Sequence, residues 1–76
     1  MAGEERERLS AKLREVLIAA RKAKGMSQLD LAEALGRTQT FVSNYERGER
    51  RVGLVDFILI VRALGEDPTG MLRRLG

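Results

Sequence analysis

Apolar residues recur along this chain at the three-and-four spacing of a helix, and the runs are separated by glycines and by residues that favour helix starts. Leu9, Leu13, Val16, Leu17 and Ala20 form the first stripe. Glu4, Glu5 and Glu7 precede it and Arg21, Lys22 and Lys24 follow, the order that complements a helix dipole, before Gly25 supplies a stop. Residues 1–8 are expected to fray, and Met26 to fill a gap between helices. A second stripe, Leu31, Ala32 and Leu35, starts behind Ser27 as N-cap, with Asp30 as an acidic variant of the capping box, and ends at Gly36. Thr38 caps a third helix whose inward residues are Val42 and Tyr45, and Gly48 stops it.

Leu54 to Leu64 is apolar enough to be a buried strand or a buried helix, and periodicity alone does not decide. Its eleven residues, the glycine directly after it and its helical neighbourhood favour a helix. Leu54, Phe57, Val61 and Leu64 then share one face, with Ile58 beside them, and Val55, Leu59 and Ile60 are left over. Asp67 and Pro68 suit the N-cap and first residue of a fifth helix carrying Met71, Leu72 and Leu75. The pattern predicts an all-α chain, one compact five-helix domain over residues 1–76.

Composition narrows the chemistry. A chain of 76 residues has room for one domain and buries only about 60% of its unfolded surface, which favours a compact helical core. There is no cysteine and no histidine, so disulfides, thiolate metal sites and the commonest general base are missing. Ser10, Ser27 and Ser43 have no evident base to activate them. We expect no enzyme activity, no cofactor and no bound metal. The one apolar run, Leu54 to Val61, is interrupted by Asp56 and falls far short of the ~20 residues that span a bilayer, and the charged N-terminus has no signal-peptide pattern. A cytoplasmic protein with no membrane partner is the expectation.

The net charge of +3 is modest, but residues 21 to 51 hold seven basic and four acidic side chains and therefore the whole excess. That stretch contains Gln28 to Gly48, two short helices joined by a tight turn, which is the pattern of a helix-turn-helix. Ala32 is small enough for the two helices to cross closely. Gln39, Thr40, Ser43, Asn44 and Arg47 remain on the outer face of the second. Amides can pair bidentately with adenine in a major groove, hydroxyls can reach bases or phosphates, and arginine can hold the backbone. Gln39, Thr40, Ser43 and Asn44 are the candidate base readers. Gln28, Thr38, Arg47, Arg50 and Arg51 are the candidate phosphate contacts, the last two from a short basic loop that ends at Gly53. Phe41 either meets a thymine methyl or packs against a neighbour. Polar residues on an outer helix face are also what an ordinary solvated helix shows.

From about Leu17 to Leu64, roughly two thirds of the chain, ARKAKGMSQLDLAEALGRTQTFVSNYERGERR and its flanks resemble the phage-repressor (Cro/CI-type, XRE) helix-turn-helix family. The shared steps are Arg, Gly, an apolar residue, Ser-Gln, Leu-Ala, Leu-Gly, Val-Ser and Glu-Arg-Gly. The resemblance implies a lambda-repressor-like fold, double-stranded DNA as partner, and an ion pair between Arg21 and Glu46 tying the first helix to the third. It implies a transcription regulator acting as a homodimer on a pseudo-palindromic operator, and the small size is similar to that of restriction-modification controller proteins. Two departures stand out: Arg37 where the turn usually has an apolar residue, and Val52 where proline is common.

Independently of the family, the leftover Val55, Leu59, Met71, Leu72 and Leu75 cannot all fit the core of so small a domain, so residues 54–75 are the expected dimerisation surface. The alternative is an antitoxin or adaptor of the same fold, in which that apolar face grips a toxin or another protein.

Overall fold

Five helices follow one another in the computed structural model, which describes residues 1–76: α1 (Ala2–Ala23), α2 (Gln28–Leu35), α3 (Gln39–Glu46), α4 (Leu54–Ala63) and α5 (Pro68–Arg73). Their ends follow local chemistry. Ser27 and Asp30 close a reciprocal capping box, the Ser27 hydroxyl accepting from Asp30 N at 3.0 Å and the Asp30 carboxylate accepting from Ser27 N at 2.9 Å. Hydrogen bonding from the Ser27 backbone N–H first, and from its side chain second, holds the Asp30 carboxyl below its ordinary pKa. Asp67 caps α5 by accepting from Gly70 N at 2.9 Å, with Pro68 as first residue. Gly36 closes α2 at φ 67°, ψ 31°, a left-handed conformation in which a Cβ would be strained, and this tight corner sets α2 against α3.

α1 is helical from Ala2. Early acids, late bases and an ion pair between Glu5 and Arg8 one turn apart favour this on local grounds, although the first nine residues are all exposed. A helix of 22 residues is about 33 Å long, which accounts for most of the molecule's 37 Å long axis.

The core is built from Val16 and Leu17 of α1, Leu31 and Ala32 of α2, Phe41, Val42 and Tyr45 of α3, Phe57, Ile60, Val61 and Leu64 of the α4 segment, and Met71 of α5. Ala32 is fully buried where α2 crosses α3. Two assignments differ from the sequence pattern. On α4 the buried stripe is Phe57, Ile60, Val61 and Leu64, and Leu54 is 71% exposed. The spacing i, i+3, i+4, i+7 is a single helical face, and Leu54 is the first helical residue, directly after an exposed loop. Met71, expected at a dimer surface, is only 1% exposed, because α5 is a single short piece packed on α4 and its flexible thioether fills the space beneath. Leu75 is half-buried against the same core. Val55, Leu59 and Leu72 do remain exposed.

Candidate nucleic-acid interface

α3 is aimed by what lies on either side of it. Its start is fixed by Thr38, whose hydroxyl accepts from Phe41 N at 3.3 Å, so this candidate phosphate contact serves first as an N-cap and keeps only its own O–H to offer. Val42 and Tyr45 are wholly buried and Phe41 nearly so, which places the Phe41 ring against its neighbours and away from any groove. Tyr45 meets it edge-on at 5.6 Å, and the Arg37 guanidinium lies over its other side at 3.9 Å. Arg37 also pairs with Asp56 on α4 at 3.5 Å. The turn position that usually carries an apolar residue is thereby covered by a stacked cation anchored to the next helix. Val52, in place of proline, is half-buried and packs on the core.

The far end of α3 is held by the Arg21–Glu46 pair. Arg21 donates from Nε to Glu46 Oε2 at 2.7 Å and from Nη2 to Oε1 at 3.1 Å, while its Nη1 donates to the Met26 carbonyl at 2.9 Å. Gln28 Nε2 donates to Glu46 Oε1 at 2.9 Å. The hydrogen bond it donates to Glu46 raises the already high pKa of Arg21 against the opposing effect of burial. Gln28, the candidate phosphate contact at the start of α2, turns its amide to Glu46, so its Nε2 is already engaged within the fold. One carboxylate thus gathers the end of α1, the start of α2 and the end of α3.

Burial, with a smaller contribution from the nearby Glu46 carboxylate, pushes the Tyr45 hydroxyl well above the ordinary phenol range, and the oxygen has no hydrogen-bond partner in the chain. Because a buried unpaired hydroxyl only costs desolvation, Tyr45→Phe should leave stability unchanged or raise it by about 1 kcal/mol in urea unfolding. A loss of that size would show that the hydroxyl has found a partner.

With its inner face and ends fixed, α3 presents Gln39, Thr40, Ser43, Asn44 and Arg47 around one shallow hollow of about 260 Å³ that no apolar residue lines. Gln39 and Thr40 are exposed, Ser43 and Asn44 half-buried. Arg47 does not extend away from the helix. Its guanidinium folds back across the outer face, donating to Ser43 Oγ at 2.6 Å, to Asn44 Oδ1 at 2.7 Å and to Glu49 Oε2 at 3.1 Å. This engages the Asn44 Oδ1, leaves its Nδ2 donors without a partner in these bonds, and sets a cation among the four candidate base readers. Arg50 reaches back over the Phe41 ring at 5.0 Å, and Arg51 is exposed. Arg37 stood out in the sequence only as a departure from the family's turn, although its i, i+4 spacing to Phe41 signalled the stacking, and Arg6 and Arg14 of α1 come beside the basic loop only in the fold.

The helix-turn-helix family model matches residues 17–71. Among solved structures, an XRE-family like protein from Pseudomonas syringae pv. tomato str. DC3000 is similar with a TM-score of 0.88 and 39% identity, over 97% of this chain and 89% of that one. The wild-type restriction-modification controller protein C.Esp1396I has a TM-score of 0.82 at 30% identity, over 88% of this chain and 87% of that one. The clp gene regulator ClgR from Corynebacterium glutamicum has a TM-score of 0.80 at 28% identity, over 88% of this chain and 71% of that one. A search of curated proteins finds no match. No helix is long and apolar enough to cross a membrane.

Proposed function

Because the chain belongs to the XRE-type helix-turn-helix family of DNA-binding transcription regulators, we propose that it binds a pseudo-palindromic operator as a homodimer, with α3 of each copy in the major groove. The observation that carries this reading is the wholly polar hollow on α3, where two amides, two hydroxyls and one arginine converge on a helix whose other side is locked into the core. In the groove, Gln39 and Asn44 pair with base edges, and Thr40 and Ser43 make the shorter contacts. Arg50 and Arg51 hold phosphates on one side, with the Thr38 hydroxyl and the remaining Gln28 groups giving uncharged contacts on the other.

The dimer reading rests on the apolar residues the fold leaves uncovered. Val55 and Leu59 stand one turn apart on α4, 69% and 48% exposed, and Leu72, on the helix packed beside it, is 51% exposed. A twofold axis through this face buries it against itself and sets two recognition helices for half-sites about 34 Å apart. Two of the similar structures are by name a controller protein and a gene regulator, which accords with control of transcription.

Selection of bound sites from random DNA, followed by footprinting, tests the reading directly. On the site so defined, Gln39→Ala or Asn44→Ala should cost about 1–3 kcal/mol of binding and relax the preference at one base pair per half-site. Equal losses on selected and random DNA would remove both residues from the set of base readers.

A further inference from the structure

Of the chain's eleven arginines, five are ion-paired: Arg8, Arg21, Arg37, Arg47 and Arg74. Four of the six others, Arg6, Arg14, Arg50 and Arg51, line a single cleft of about 390 Å³ between the first half of α1 and the loop after α3. Glu7 is the only acid in its wall. Arg14 lies flat against the end of α3, its Cζ 3.0 Å from where a Cβ on Gly48 would stand, so the missing side chain is what lets the guanidinium settle there. An arginine at a helix C-terminus is favourable on its own account. That does not explain why three further unpaired guanidinium groups converge on the same cleft, where like charges repel until an anion enters.

Arg47 lines both this cleft and the hollow on α3. The two therefore adjoin at Arg47, at the end of the recognition helix. We propose that the cleft holds backbone phosphates of the DNA flanking each half-site, so that α1, through Arg6 and Arg14, is a DNA-contacting element beside the helix-turn-helix. The proposal rests on the DNA-binding reading above but not on the identity of the base readers. It assigns a charged role to the first half of α1, most of which lies outside the residues that match the family model.

Two duplexes with the same selected site test it, one trimmed to the half-sites and one extended by half a helical turn on each side. The wild type should bind the longer duplex more tightly and with a steeper dependence on salt. Arg6→Ala/Arg14→Ala should match the wild type on the trimmed duplex and gain clearly less from the extension, since Arg50 and Arg51 remain in the cleft. Its slope of log affinity against log salt on the longer duplex should be shallower by about 0.9 per lost contact. Arg14→Lys should restore part of the difference, and Arg6→Ala alone, at an exposed position, guards against a folding defect in the double variant. Equal behaviour of wild type and double variant on both duplexes would overturn the proposal. Titration with inorganic pyrophosphate in the absence of DNA separates the remaining source of phosphate. Saturable binding lost in the double variant, with no effect of duplex length, would make the cleft a small-anion site and also overturn the proposal. Repeating the comparison on random-sequence duplexes keeps the outcomes distinct. A length effect that persists there, with Gln39→Ala and Asn44→Ala costing nothing on the selected site, would refute the base-reading assignment and leave the cleft standing.

Discussion

Glu46→Ala is expected to lower the free energy of unfolding by about 3–5 kcal/mol, because it strands Arg21 where the guanidinium is almost completely enclosed. The side chains of Arg21 and Glu46 are only 10% and 5% exposed, so solvent screens the loss poorly. The substitution also removes the acceptor of the Gln28 amide and leaves Arg21 with the Met26 carbonyl as its only fixed partner. At ~0.05–0.15 kcal/mol per residue, a chain of 76 residues has roughly 4–11 kcal/mol in all, so the lesion takes about a quarter of it or more. Arg21→Ala should cost a similar amount, and the double variant much less than the sum, since neither charge is then left alone. Denaturant unfolding of the four proteins measures this. A loss under about 1 kcal/mol for each single variant would mean that the pair behaves as a solvated surface bridge.

Leu59→Glu or Leu72→Glu is expected to give a folded monomer that melts near the wild type and binds the full operator about 10²- to 10⁴-fold more weakly, the range by which two linked sites exceed one. Both residues are about half exposed, so a charge there meets solvent in the monomer and is buried only if a second copy covers it. Met71→Glu is the contrast: at 1% exposure it should unfold the domain. Sedimentation at rising concentration, together with thermal melting, separates the cases. A wild type that remains monomeric at tens of micromolar without DNA would assign the apolar face to another partner, such as a toxin held by an antitoxin of this fold. Unfolding of the Leu59 and Leu72 variants would return those residues to the core.

The capping box at Ser27 and Asp30, the Thr38 and Asp67 caps and the left-handed turn at Gly36 were legible in the sequence because each is made by residues within a few positions of one another. The identity of the outer face of α3 was legible for the same reason, since a helix with Val42 and Tyr45 inside has little freedom in where Gln39, Thr40, Ser43 and Asn44 go. The Arg21–Glu46 pair, 25 positions apart, was reachable only through the family resemblance.

What depended on tertiary structure involved either a choice among equally apolar faces or a polar contact between distant segments. α4 is apolar nearly all round, so its pattern sets Leu54 on the inner face and leaves Ile60 over, whereas in the fold Ile60 is buried and Leu54 lies in water. Met71 and Leu72 are adjacent and similar in hydrophobicity, and the docking of α5 on α4 separates them. Gln28 faces inward because Glu46, 18 residues later, is brought beside it, and Arg37 closes the turn because Asp56 arrives from the next helix. Arg6 and Arg14 read as part of a solvated charged helix until the fold sets them against Arg50 and Arg51. Charge and hydrophobicity are properties of a residue, but which neighbour satisfies them is a property of chain segments that meet only in three dimensions.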